Sequence, residues 1–181
     1  MKNTIMLMIQ SALILSALST GNTAAAQSKK DSSLMEDCQA GKKDFLRSDE
    51  LMKNLFNNAY AYAMFPNIGK GAVGVGGASG NGIVYEKGKI IGKAKMTQVT
   101  VGFQFGGQAY REVIFFKDKE TLNRFKKNNI EFSAEASAVA ATVGASAKAK
   151  YANGVMIFTQ TKAGLMYEAS VGGQKFKFTP F

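Results

Sequence analysis

The sequence predicts an α+β fold: a twisted antiparallel β-sheet or partial barrel of about seven or eight short strands, with a long N-terminal helix and one short helix. Three observations lead there. Apolar residues recur at helical spacing up to Pro66 and alternate by twos in segments after it. Glycines crowd the stretch from Gly69 to Gly82. Turn signals then separate short β-rich runs as far as the C-terminus.

The chain opens with Lys2, an apolar run from Ile5 to Leu18 broken by Gln10, Ser11 and Ser16, and Ala24-Ala25-Ala26 before Gln27. A positive start, an apolar core and a small-x-small site are the parts of a secretory signal peptide. A membrane span needs about 20 apolar residues, and this run is shorter and interrupted. Residues 1–26 are therefore expected to be removed on export, to a periplasm or to the cell exterior. Residues 27–47 are polar and charged and are expected to form a mobile lead-in, with the folded domain at 48–181.

Ser48 is a candidate helix cap, with Asp49 and Glu50 in the first turn. Leu51, Leu55 and Ala59 make one row at four-residue spacing, and Met52, Phe56 and Tyr60 make its neighbour. The pattern predicts a helix through Ala61-Tyr62-Ala63-Met64, stopped by Pro66. Gly82 to Tyr85 and Ile90-Ile91 flank the turn signal Glu86-Lys87-Gly88-Lys89. Thr97 to Phe105 alternates, and Val99, Val101, Phe103 and Phe105 are expected on its core face. Arg111 to Phe116 (REVIFF) reads as a strand buried on both sides. Asp118 to Asn128 has helical composition, with Leu122 and Phe125 inward. Ile130–Thr142, Gly144–Tyr151, Val155–Thr159, Gly164–Val171 and Lys175–Phe178 complete the strands. Asn153-Gly154 marks a hairpin turn, and Lys175-Phe176-Lys177-Phe178 suits an edge strand with one wet face.

Composition narrows the chemistry. Losing Lys2 takes the 23 basic residues to 22 against 13 acids, a formal charge of +9. Such a chain is drawn to anionic partners, and export leaves anionic lipid or envelope polyanions ahead of nucleic acid. There is no histidine, which removes His-based nucleophile systems and the common zinc sites. The acids are scattered, and nothing in the spacing of Glu112, Glu131, Glu135 and Glu168 joins them. No enzyme activity, cofactor or metal is expected. Cys38 has no intramolecular partner, which leaves a tolerated thiol or an intermolecular disulfide.

Gly69-Lys70-Gly71-Ala72-Val73-Gly74 satisfies G-x-G-x-x-G, but a dinucleotide site needs a strand before it and a helix after it. Here the predicted order is the reverse, so no nucleotide is expected. The stretch carries a different likeness. Ala63-Met64-Phe65-Pro66-Asn67-Ile68-Gly69-Lys70-Gly71, then Gly74-Val75-Gly76-Gly77 and Gly80-Asn81-Gly82, resembles the opening signature of the SYLF domain. Gly102 to Gln108, followed by Val113 to Phe116, resembles its central block. Gly164-Leu165 through Gly172 resembles its closing block. The likeness covers residues 50–178, with Ala141 to Ser146 replacing the usual arginine-bearing element.

The family includes a yeast actin-patch protein, animal SH3 proteins, plant FYVE proteins and exported bacterial proteins. The resemblance implies binding of anionic or phosphoinositide lipid headgroups; the eukaryotic actin connection is not carried over. Candidate headgroup contacts are Lys93 and Lys95 on one strand face, Arg124, Lys126 and Lys127, and Lys148 and Lys150. Leu51, Leu55 and Phe56 are candidate membrane-facing residues, with packing on the sheet as the competing use. The function expected is peripheral attachment to an anionic phospholipid membrane. The alternative is a structural or interaction protein of the envelope, binding a protein or a polyanionic polymer.

Overall fold

A computed structural model describes residues 27–73, 75–101, 108–127, 137–140, 150–161, 169–170 and 173–181. In chain order the elements are α1 (27–48), α2 (Glu50–Asn58), β1 (Ala61–Val73), β2 (Val75–Glu86), β3 (Lys89–Val101), β4 (Gln108–Phe116), α3 (Lys119–Lys126), β5 (Ser137–Ala140), β6 (Val155–Thr161), β7 (Ala169–Ser170) and β8 (Gln174–Pro180). Two compact units divide the chain, Met1–Glu36 and Asp37–Phe181. The second holds the sheet.

The strands lie in the order β7-β5-β6-β4-β1-β2-β3-β8. From β6 to β8 every neighbouring pair is antiparallel, while β5 joins β6 in parallel. The α+β class is as predicted. Gln174 Nε2 of β8 donates to Glu112 Oε2 of β4 at 3.0 Å, although β1, β2 and β3 separate the two strands. In a flat sheet those strands would stand about 19 Å apart at the usual spacing. The sheet therefore rolls strongly about an inner face.

Ala63, Phe65, Val84, Met96, Ile114, Phe116 and Phe176 build the core on that inner face. α3 seals it: Phe125 packs on Phe116 at 4.9 Å and on Phe176 at 5.2 Å between centroids. Asp118 caps α3 by accepting from Thr121 N at 2.9 Å. On the outer face, Phe56 of α2 stands edge-on to Tyr62 at 5.1 Å and to Phe115 at 5.0 Å. Cys38 Sγ of α1 donates to Met64 O at 3.3 Å, and Asp44 pairs with Arg111 of β4. β4 is thus covered on both sides, as its apolar run predicts. The two predicted turns, Lys87-Gly88 and Asn153-Gly154, place both residues at positive φ (49° and 78°; 50° and 83°), the geometry a type I′ turn requires.

Five expectations need correction. Residues 27–48 are helical rather than a mobile lead-in, and Cys38, Gly41 and Phe45 form a buried stripe on α1. The following helix stops at Asn58, capped by Asp49 rather than Ser48; the Asp49 side chain accepts from Leu51 N at 2.9 Å. Ala61 to Met64 belong to β1, an internal strand whose residues from Ala61 to Phe65 are buried on both faces. Pro66 does not end a helix; it sits where the β1 register shifts against both neighbours, at the kind of bulge that tolerates a missing N–H. On β3 the predicted faces are exchanged: Gln98 is 3% exposed and Val99 is 72% exposed. Val99 shares its face with Lys93 and Lys95, and none of the described helices covers it there.

The signal peptide, Phe103 and Phe105, Gly102–Gly107, Ile130–Glu135, Ala141–Gly144 and Gly164–Glu168 lie outside the described residues, as do Glu131, Glu135 and Glu168.

Candidate functional site

The outer face of the sheet is not uniform. α1 and α2 cover it at β1 and β4, and Ile83 and Tyr85 of β2 are buried there too, whereas Ser79 and Asn81 of β2, Lys95, Thr97 and Val99 of β3, and Lys175 and Lys177 of β8 are exposed. Successive residues of a strand point to opposite faces, so the inward set Ala94, Met96 and Gln98 fixes Lys93, Lys95, Thr97 and Val99 outward. On β8 the inward Gln174 and Phe176 fix Lys175 and Lys177 outward.

The pairing aligns these residues. Lys95 lies directly opposite Lys177, Lys93 opposite Thr179, and Thr97 opposite Lys175. On the other side of β3, Asn81 and Ser79 of β2 stand opposite Lys95 and Thr97. Cα atoms of opposed residues are about 5 Å apart and those two along a strand about 7 Å. The result is a strip with four lysines and no carboxylate among the residues just named. Lys93 Nζ lies 5.4 Å over the Phe181 ring. Lys95, Lys175 and Lys177 are exposed and form no ion pair with any described residue. Val99, 72% exposed, continues the same face beyond the lysines.

Two like charges directly opposite one another destabilise a sheet, on the scale of about 0.2–1 kcal/mol for a cross-strand pair. Lysines on β8 also blunt an exposed sheet edge. That second use does not extend to Lys93 and Lys95, because β3 is an internal strand between β2 and β8.

The other predicted cations do not join this strip. Arg124 Nη2 donates to Asn153 O at 2.8 Å. Lys126 Nζ lies 3.6 Å from Glu86 Oε2 and 5.9 Å over the Phe178 ring. Both are tied into the closure of the inner face by α3, and Lys127 is exposed at the end of that helix. Lys150 is exposed outside the regular elements, and Lys148 lies outside the described residues. Of the three apolar candidates, Phe56 is 7% exposed and committed to Tyr62 and Phe115, which corrects its membrane-facing assignment. Leu55 is half-buried, and Leu51 is 40% exposed.

Lys175 and Lys177 were not among the predicted contacts. Their period-two spacing was visible, but the pairing of β8 with β3 that completes the strip is a long-range fact. Cys38 is 1% exposed, and burial pushes its thiol up to about 12. A sealed, neutral thiol is not a disulfide partner in the folded protein. Among the described residues there is no group of three or more side chains suited to a metal ion, and no helix long and apolar enough to cross a membrane.

Residues 97–179, which include the outer half of β3 and nearly all of β8, match the family model Ysc84, described as a Las17-binding protein actin regulator. The chain is also similar to Beta cell expansion factor A of Aeromonas veronii, with 31% identity over 127 residues. That alignment covers 68% of this chain and 48% of the relative, so the chain spans about half the length of the curated protein it matches.

Proposed function

Residues 97–179 carry the domain of the SYLF (Ysc84) family, and from that premise we propose an exported, non-enzymatic protein that attaches peripherally to anionic phospholipid surfaces. Attachment runs through Lys93, Lys95, Lys175 and Lys177. The observation that carries this reading is the strip itself: an open sheet face with four cations, two of them directly opposed and three without an ion-pair partner among the described residues.

The strip presents its four lysines on one side of the sheet. Each lysine near an anionic leaflet contributes about 1 kcal/mol, so four supply about 4 kcal/mol, roughly a thousandfold in partitioning. The attraction acts within a Debye length, about 8 Å at physiological ionic strength. Val99, at the end of the strip, offers a small apolar contact with the interface. The proposal calls for no cofactor and no nucleotide.

Co-sedimentation of residues 27–181 with neutral and anionic vesicles across a salt series tests it. Binding to anionic vesicles that fades with salt, and that is abolished by Lys95→Glu with Lys177→Glu, is the expected result. A folded protein that ignores anionic vesicles at low salt would sink the reading and turn the search to a protein or polyanionic polymer of the envelope.

A further inference from the structure

A second cationic site lies on the helices. Lys42 of α1 is half-buried where α1 and α2 meet the sheet. Its Nζ bonds Tyr62 Oη at 3.2 Å and lies 4.8 Å over the Phe56 ring and 5.1 Å over the Tyr62 ring. An ammonium has three donors, and the tyrosine takes one. No carboxylate among the described residues pairs with it. The head opens on a groove of about 550 Å³, whose lining also includes Leu46, Arg47, Glu50, Lys53 and Phe56. Three cations against one acid leave the groove positive, even with Arg47 drawn toward Asp44 at 3.5 Å.

We propose that this groove is a phosphate-binding site: Lys42 is its fixed donor, Arg47 and Lys53 close on the phosphate oxygens, and Leu46 and Phe56 form an apolar wall beside it. The aromatic rings hold Lys42 in place, so little side-chain entropy remains to be lost on binding. Arg47 supplies the planar fork that suits phosphate oxygens. The lowered pKa that burial imposes on Lys42 is what a half-buried ammonium shows before a counter-anion arrives, and an anion in the groove would reverse it. The shared chemistry is a phosphate group, whether free or borne on a lipid. The inference does not depend on vesicle attachment through the sheet.

Calorimetric titration of the purified full chain with inorganic phosphate, and separately with dihexanoyl phosphatidic acid below its micelle concentration, reads the site directly. The expected result is saturable one-to-one binding of both probes. Affinity falls about tenfold in Lys42→Met and about threefold in Lys53→Gln, and is unchanged in Lys119→Gln at the exposed start of α3. Tighter binding of the lipid assigns the Leu46–Phe56 wall to a lipid chain, and equal affinity assigns the site to the phosphate group alone. Lys53 is exposed, so its variant reports even if Lys42→Met fails to fold. No saturable binding of either probe, or affinity unmoved in both Lys42→Met and Lys53→Gln, would overturn the assignment.

Discussion

Strands β4 and β3 belong to one sheet and end with opposite fates. β4 has helices on both sides, and its residues from Glu112 to Phe116 are buried on each face. β3 buries Ala94, Met96 and Gln98 on its inner face, while Lys95, Thr97 and Val99 on its outer face are exposed. The difference lies in neighbours rather than in strand character. β4 pairs with β1 and β6 under α1, α2 and α3; β3 pairs with β2 and β8, and none of the described helices covers its outer face. Stability is concentrated in the first region, and surface available to a partner in the second.

Substitution at Phe115 should break the first half of that comparison most severely. Its ring contacts Phe56 at 5.0 Å and Phe158 at 6.0 Å. Phe115→Ala is expected to cost about 3–5 kcal/mol in denaturant unfolding, whereas Val99→Ser on β3 should stay within about 0.5 kcal/mol. Similar losses at the two positions would mean that the outer face of β3 is covered after all.

Cys38 supplies a second measure of the sealed region. With its thiol buried, neutral and bonded to Met64 O, labelling by a thiol reagent should run about a hundredfold or more slower in the native protein than in the unfolded chain. Equal rates would show that α1 opens locally over β1.

The open region should behave in the reverse sense. Replacing Lys95 and Lys177 together by Gln removes two charges from the proposed membrane-binding strip that also face each other. Vesicle affinity should drop by about 2 kcal/mol, roughly thirtyfold. Stability should rise by a few tenths of a kcal/mol as the opposed pair is relieved. Loss of both binding and stability would assign these lysines to the fold rather than to a surface.

Which parts were legible follows the same division. REVIFF announced β4 because an apolar run with few polar residues must be buried on both sides. Lys87-Gly88 and Asn153-Gly154 announced their turns by local backbone need, and the helical composition of Asp118 to Asn128 announced α3. Ala61 to Met64 read as helix because a strand buried on both faces has no alternation to set it apart. α1 was hidden for another reason. Its buried stripe is Cys38, Gly41 and Phe45, and two of those three are weak apolar signals among charged neighbours. Gly41 lies directly over the end of the buried Met64 side chain, a neighbour visible only once β1 lies beneath it. The basic strip was half legible. Lys93 and Lys95 share a face by local periodicity, whereas Lys175 and Lys177 join them only through pairing across the sheet. Reading β3 from Thr97 alone also exchanged its faces; starting from Lys93 and Lys95 places Val99 with the lysines, outside.

The smallest effect separates cations that hold the fold from cations left for a partner. Glu86 accepts from Tyr60 Oη at 2.6 Å and pairs with Lys126 at 3.6 Å. The Tyr60 hydrogen bond, aided by the Lys126 charge, holds its carboxyl below the usual carboxylate range. A carboxylate depressed in the folded state stabilises fully above its unfolded pKa, and that contribution is lost as pH falls through the folded one. Wild type should therefore exceed Glu86→Gln by under about 1 kcal/mol near neutrality, since the pair is partly solvated. The gap should close as the pH falls through the carboxylate range. A gap that persists at pH 3 would mean that side-chain shape, and not charge, ties α3 to the sheet. Lys126→Gln should lose only a part of that increment, because the Tyr60 hydrogen bond remains, while leaving vesicle binding intact, because its charge is already taken by Glu86. If Lys126→Gln instead weakened vesicle binding as much as Lys95→Gln, the boundary between the two regions would have to be redrawn to place α3 on the membrane side.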